Sequence, residues 1–353
     1  MKIPYKLQII MVLIPFLGFS FHEDLPFTKQ KTINKAFFVN ADALINVENM
    51  YGNITVSTWD ENKIELDILI KVSGDSEKWV EKRINDINVK IDAFKNNVNA
   101  KTIIESSDFF NNGNTNSIEI NYVIKIPKNG SIKFNNKYGN IIAENLNTNV
   151  NIICKYGKII LGKLNGNSNI IELGYCPNSI IEFAKNLVLN AKYSGLKINE
   201  VIKLNLESNY TDIIVTDCQI VKYDSNYGKL NFYKVNTIAG SGNYMTFNIG
   251  ELFNSLNIET NYSKINITSI NEKANNVFID CGYSNLNIGF DSNYAFDLDI
   301  QTKYGEVRYD SEIEIFNKEI TNNSKQINGF YKRKGANKIN LIAKYGNINL
   351  IKK

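Results

Sequence analysis

The sequence predicts an all-β fold, a parallel β-solenoid (a β-helix) of right-handed path with a small α/β cap region at its N-terminal end. Three observations in the 353 residues lead there. A tyrosine recurs at short, nearly constant intervals. Apolar residues alternate with polar ones at fixed positions on either side of it. A small residue usually stands two positions before it. Alternation with period two marks strands that bury one face, and one short unit in tandem copies marks a solenoid.

The recurring residues are Tyr51, Tyr138, Tyr156, Tyr175, Tyr193, Tyr210, Tyr227, Tyr244, Tyr262, Tyr283, Tyr304 and Tyr345. From Tyr138 the spacings are 18, 19, 18, 17, 17, 17, 18, 21, 21 and 41, the last close to two units with one degenerate copy. Six and four positions before the tyrosine the chain is apolar, as in Val150 with Ile152, Leu204 with Leu206 and Ile339 with Leu341. Two before it stand Cys154, Ala191, Ser208, Ser225, Gly242, Thr260 and Cys281. Three and five after it the chain is apolar again, as in Leu230 with Phe232. Inward parity is therefore even before the tyrosine and odd after it, which requires a corner in between. Hairpins give no reason for every strand pair to carry the same columns, whereas coils about 4.8 Å apart stack like on like. About eleven coils over residues 131–353 make a rod on the order of 50 Å long. Sharing parity with the buried positions, the tyrosines read first as structural residues packed on one another, and second as an aromatic platform for a polymer such as a polysaccharide.

Composition excludes several chemistries. A single histidine, His22, leaves no basis for histidine metal sites or His-dependent triads. A net charge of +4 without a basic block gives no nucleic-acid footprint. Asparagine occurs 56 times, suiting turns and stacked amide ladders. Cys154 and Cys281 lie seven coils apart, beyond disulfide reach. Cys154 and Cys176 lie in adjacent coils but about three residues out of register, roughly 10 Å laterally, which also disfavours a bridge. Cys218 falls between coils. No CxxC spacing supports a metal, and neither metal nor cofactor is expected.

Residues 1–20 read as an export signal: Lys2 and Lys6, then the apolar run Leu7 to Phe19, with cleavage after Ser20. The run is shorter than the ~20 residues a bilayer span needs, so the mature chain is expected outside the cytoplasm without a transmembrane segment. Residues 28–130 read as a cap region: one repeat unit around Tyr51, a strand from Lys63 to Val72, a helix near 75–89 capped by Asp75 or Ser76, and strands at Asn97 to Ile104 and Ile118 to Ile126. Val80, Ile84, Ile87 and Ile91 form the helix face. A polar stretch from Asp310 to Asn337 carries the basic run Lys332 to Lys334, which could touch an acidic polymer or lipid headgroup but suits a solvated loop.

The segment Phe38 to Asp60, with its YGNI and TWD elements, the IPK segment at Ile120 to Lys128 and the tandem YGxI units together resemble the bacterial putative-adhesin family of unknown function. The resemblance covers most of the mature chain and implies an exported, solenoid-like protein with an adhesive role and no catalytic residues to carry over. Tyr175-Cys176-Pro177 and Tyr244-Met245 depart from the pattern. The resulting reading is a non-enzymatic exported scaffold presenting a rigid repeat surface to a glycan or surface protein. The alternative is a polysaccharide-active β-helix enzyme, a lyase or hydrolase, for which Asp212 with Asp217 and Asp297 with Asp299 are the available carboxylates. Calcium-dependent adhesion has one imperfect echo, Gly240 to Asn243, and an ice-binding face would need threonine columns the sequence lacks.

Overall fold

The structure, a computed structural model, describes residues 25–105 and 116–353. The export signal, His22 and nearly all of the loop at 109–116 lie outside the described residues. The chain is all-β with a single helix among the described residues.

From residue 131 onward the chain folds as a stack of coils, each a strand before a tyrosine and a strand after it. Successive coils pair in parallel and in register. Ile132, Val150, Asn169, Leu187 and Leu204 follow one another in one column. Phe134, Ile152, Ile171, Leu189 and Leu206 follow in the next. Both columns are buried, because in-register stacking makes each side chain the neighbour of its counterpart one coil away. Exceptions are accommodated locally. Asn169 enters the apolar column with its amide donating to the carbonyls of Gly166 (2.9 Å) and Asn186 (2.8 Å), as a buried polar group requires. Where Tyr223 fills the column position four before its repeat tyrosine, the next coil places Gly240, whose added Cβ would lie 2.5 Å from the Tyr223 ring. The Gly240 to Asn243 segment thus makes room for a large neighbour.

The N-terminal region extends the stack and then changes strand direction. Its elements are β1 (Phe27–Phe38), β2 (Leu44–Met50), β3 (Ile54–Trp59), β4 (Lys63–Gly74), α1 (Glu77–Asp86), β5 (Ile87–Phe94), β6 (Asn97–Ile104) and β7 (Ser117–Pro127). Strands β2 and β3 form the Tyr51 coil, which pairs in parallel with the Tyr138 coil on one side and with β6 and β7 on the other. Antiparallel pairing then follows, β5 on β6, β4 on β7 and β1 on β4. Helix α1 is capped by Ser76, whose hydroxyl accepts from the Trp79 amide at 3.4 Å. It ends at Asp86, earlier than the apolar spacing through Ile91 suggests. Ile87, Val89 and Ile91 are also two apart, and the antiparallel ladder to β6 claims them for a strand.

The C-terminal end departs from sequence order. Strand Val277–Gly282 of the Tyr283 coil pairs with Lys338–Lys344 of the Tyr345 coil, which pairs on its other side with Phe296–Lys303 of the Tyr304 coil. The last coil therefore sits between the two before it. The 41-residue interval holds no degenerate coil. Glu314–Ile320 and Ser324–Tyr331 form an antiparallel hairpin, and its second strand covers the outer edge of Phe296–Lys303.

Candidate functional site: the tyrosine column

Each of the twelve repeat tyrosines adopts a left-handed backbone, with φ between 50° and 61°. A bulky residue there costs about 1–2 kcal/mol. One such residue between two extended segments turns the strand and switches which parity faces inward. The tyrosine then points outward, although it shares parity with the buried positions before it. The rings pile into one unbroken column, with centroids 4.7–5.3 Å apart and planes within 10° of parallel. Parallel stacking of this kind contributes about 0.5–1.5 kcal/mol per pair and offsets the backbone strain.

From Tyr138 to Tyr345 the column tyrosines are 41–55% exposed. Their faces are covered by the rings above and below, so what solvent meets is a ridge of ring edges and hydroxyls. A platform that stacks sugars needs open ring faces, and these are closed. Burial raises the Tyr51 hydroxyl's pKa, with Tyr138 adding to the effect, so this phenol remains a proton donor. Lys137, Lys155, Lys192, Lys303 and Lys344 directly precede column tyrosines, and Lys158, Lys229 and Lys264 follow two positions after. Lys155 pairs with Glu172 at 3.4 Å, and Lys229 approaches Asp212 at 4.0 Å.

Two polar ladders hold the corner. Inside it, the residue after the tyrosine is glycine or a small hydroxyl in every coil but two, where Cys176 and Met245 stand. Ser194, Thr211, Ser263 and Ser284 each donate to the carbonyl two residues back (2.8–2.9 Å). Each of Ser194, Thr211, Ser263 and Ser284 also accepts an amide from the adjacent coil: those of Cys176, Ser194, Met245 and Ser263, in that order. Outside it, Asn53, Asn140, Asp212, Asn285 and Asn347 each accept the amide of their counterpart one coil on, at 2.9–3.1 Å. Further out, Asn231, Asn248, Asn266 and Asn287 stack their amides at 2.6–3.0 Å. The asparagine excess is thus spent on inter-coil bonds that replace water as partner for exposed strand edges.

The candidate carboxylates do not converge. Asp212 caps the Lys229 amide and Asp217 accepts from Gln219 at 3.4 Å. Asp297 accepts the Gly335 amide with both oxygens, and Asp299 pairs with Lys338 at 3.5 Å. The basic run is folded against its own hairpin: Lys334 lies 4.9 Å over both Phe316 and Phe330, and Lys332 donates to Asn293 at 3.1 Å. Among the described residues no group of three or more acidic, histidine or cysteine side chains could hold a metal.

All four cysteines are buried and unbridged. The lateral separation expected of Cys154 and Cys176 does not hold. The left-handed turn at Tyr175 brings the position after it back against the preceding coil, and Cys176 Sγ lies 3.0 Å from the Cys154 carbonyl oxygen.

The sequence matches the Toastrack DUF4097 family over residues 42–351. The chain belongs to that family. The Toastrack chain is similar to solved structures of putative adhesins from Parabacteroides merdae ATCC 43184 (13% identity, 71% of this chain and 92% of that one, TM-score 0.34) and Parabacteroides distasonis ATCC 8503 (14%, 74% and 90%, 0.33). A third, from Bacteroides fragilis NCTC 9343, shares 15% identity over 92% of this chain and 97% of that one, with a TM-score of 0.26. No curated protein matches the Toastrack chain.

Proposed function

We propose that this Toastrack chain is a non-enzymatic exported scaffold whose tyrosine ridge is the binding surface for a glycan or a surface protein outside the cytoplasm. In this reading residues 1–20 are removed as a signal. Residues 28–130 cap the stack against edge association, and residues 131–353 are a right-handed β-solenoid of about eleven coils. No helix among the described residues is long and apolar enough to cross a membrane.

The observation that carries the reading is the unbroken column of half-exposed tyrosines, 4.7–5.3 Å apart along the whole stack. Folding alone does not require a bulky aromatic in a strained backbone state twelve times over. A regular row of phenol hydroxyls flanked by lysines offers repeated hydrogen bonds and positive charge to an extended polymer lying along the stack. An array of neutral and acidic polysaccharides, probed with the wild type and with a Tyr175→Ser, Tyr193→Ser, Tyr210→Ser triple variant, tests it. Binding that the folded variant loses at least tenfold supports the ridge. Equal binding by the variant, or no signal on any polysaccharide or surface-protein extract, removes it. Release of reducing ends or unsaturated products from the same polysaccharides would favour the enzyme alternative.

A further inference from the structure

We propose that Cys154 and Cys176 are a disulfide-forming pair that staples the Tyr156 coil to the Tyr175 coil. Both side chains are fully buried, at 0% exposure. They occupy facing slots inside the corner, Cys154 two before its tyrosine and Cys176 one after the next. Cys176 Sγ stands 3.0 Å from the Cys154 carbonyl and 3.3 Å from the Gly174 carbonyl. Thr211 makes the same two contacts from the same slot, to Ala191 at 3.2 Å and Asn209 at 2.9 Å. Cys176 therefore fills a hydroxyl's place in the corner ladder, and a cysteine there gains a partner only because the preceding coil carries Cys154. Strand pairing sets Cys154 beside Leu173, and the turn at Tyr175 returns Cys176 to it, so the Cys176 sulfur already reaches the Cys154 backbone.

The electrostatics suit the exchange. The neighbouring Cys154 thiol, with the Gly157, Gly174 and Tyr156 backbone, lowers the Cys176 thiol's pKa, while the neighbouring Cys176 thiol and burial raise that of Cys154. Cys176 is then the attacking thiolate. Burial holds Cys218 and Cys281 at about 12, which keeps them out of the reaction. The oxidant is a disulfide, either small or carried by a thiol oxidase. Cys176 thiolate attacks it and expels one thiolate, giving a mixed disulfide. Cys154, losing its proton, attacks the Cys176 sulfur and expels the second. Two electrons pass to the oxidant, which leaves as two thiols. The bond forms as the Tyr175 coil docks, once these corner contacts are in place and before the corner closes to the oxidant.

The full chain is unfolded, refolded in a mixture of oxidised and reduced glutathione, then denatured and alkylated. The expected product is lighter by two hydrogens, labelled at Cys218 and Cys281 only, with one linked peptide pair joining residues 154 and 176. Its thermal midpoint falls by a few degrees on reduction, the order expected when a loop of this length is released. Labelling of all four cysteines, or a linkage that includes Cys218 or Cys281, overturns the proposal. The Cys154→Ser, Cys176→Ser double variant is the control. Serine already stands in both slots in other coils, at Ser208 and Ser194, so it should fold and show no redox-dependent midpoint. A redox-dependent shift of equal size in that variant also overturns the proposal. Neither outcome depends on the tyrosine ridge binding anything.

Discussion

The middle of the stack and its C-terminal end are written in one repeat grammar and assembled by different rules. From the Tyr138 coil to the Tyr283 coil, order in sequence is order in space. Beyond it the Tyr345 coil lies between Tyr283 and Tyr304, with rings 4.7 Å and 4.8 Å from its neighbours. The outer ladder follows the same path, from Asn285 to Asn347 to Glu306. Identical columns make a coil fit any slot in the stack. The pattern therefore specifies what a coil is, and the connecting hairpin decides where the last one goes. A second consequence is energetic. In a stack whose units touch only their neighbours, stability is close to a sum of unit and interface terms, and among the described residues the Tyr304 coil's only coil neighbour is the Tyr345 coil, 41 residues further along the chain.

The largest effect separating the two regions comes from one substitution at two places in the same column. Leu206→Asp puts an unpaired carboxylate into a side chain position that is 4% exposed, at a cost above about 4 kcal/mol. Its coil lies mid-stack, so hydrogen exchange is expected to show lost protection in coils on both sides and a collapsed thermal transition. Leu341→Asp introduces the same charge at 0% exposure, but apart from the adjoining Tyr283 coil only the Tyr345 and Tyr304 coils and the hairpin depend on that site. Exchange should speed across 296–352 and leave 132–262 protected. A loss that spreads equally from both sites would mean that the stack melts as one unit and that the nearest-neighbour picture is wrong.

A smaller effect tests the corner. Gly139→Ala would set a Cβ 1.9 Å from the Gly52 carbonyl oxygen, so the coils must part. A cost of about 1–3 kcal/mol is expected, read as a lower denaturation midpoint with an unchanged slope. Ser194→Gly, in a corner already shaped for a hydroxyl, should cost only the bonds to Cys176 and Lys192, about 1 kcal/mol each. If Ser194→Gly melts with the wild type, the corner hydroxyl's bonds carry no net stability, and if Gly139→Ala does, the close approach of the glycine corners has no energetic content.

The strands and their buried columns were readable in the sequence because period-two alternation and a fixed repeat length are both set by backbone geometry. The direction of the tyrosines was not, since parity counts residues along a straight strand and the left-handed residue breaks the count at the place where it matters. The same break hid the approach of Cys176 to Cys154. Helix α1 was legible at its start, where Ser76 caps it, but not at its end, where Ile87, Val89 and Ile91 satisfy both the helical and the strand spacing. The slot of the Tyr345 coil had no local signal, because its columns match those of every other coil. Of the candidate surface, the column itself was visible as a list of residues. The covering of ring faces by neighbouring rings depends on distances that no spacing in the sequence reveals.

The smallest effect concerns what holds one tyrosine in place, and it separates stacking from backbone strain. Tyr193, at φ 52°, has its ring between those of Tyr175 and Tyr210, with centroids 4.9 Å and 5.0 Å away. Tyr193→Phe keeps both stacking contacts and should melt with the wild type. Tyr193→Ala loses both contacts, about 0.5–1.5 kcal/mol each, and keeps a Cβ in the left-handed region. Tyr193→Gly loses the same contacts but is released from that strain, which outweighs glycine's extra freedom in the unfolded chain. The expected order of thermal midpoints is therefore tyrosine and phenylalanine, then glycine, then alanine. Alanine equal to or above glycine would mean that the corner relaxes out of the left-handed state once the ring is gone. Stacking would then hold the turn in its strained form, and the row of hydroxyls would depend on every ring in it.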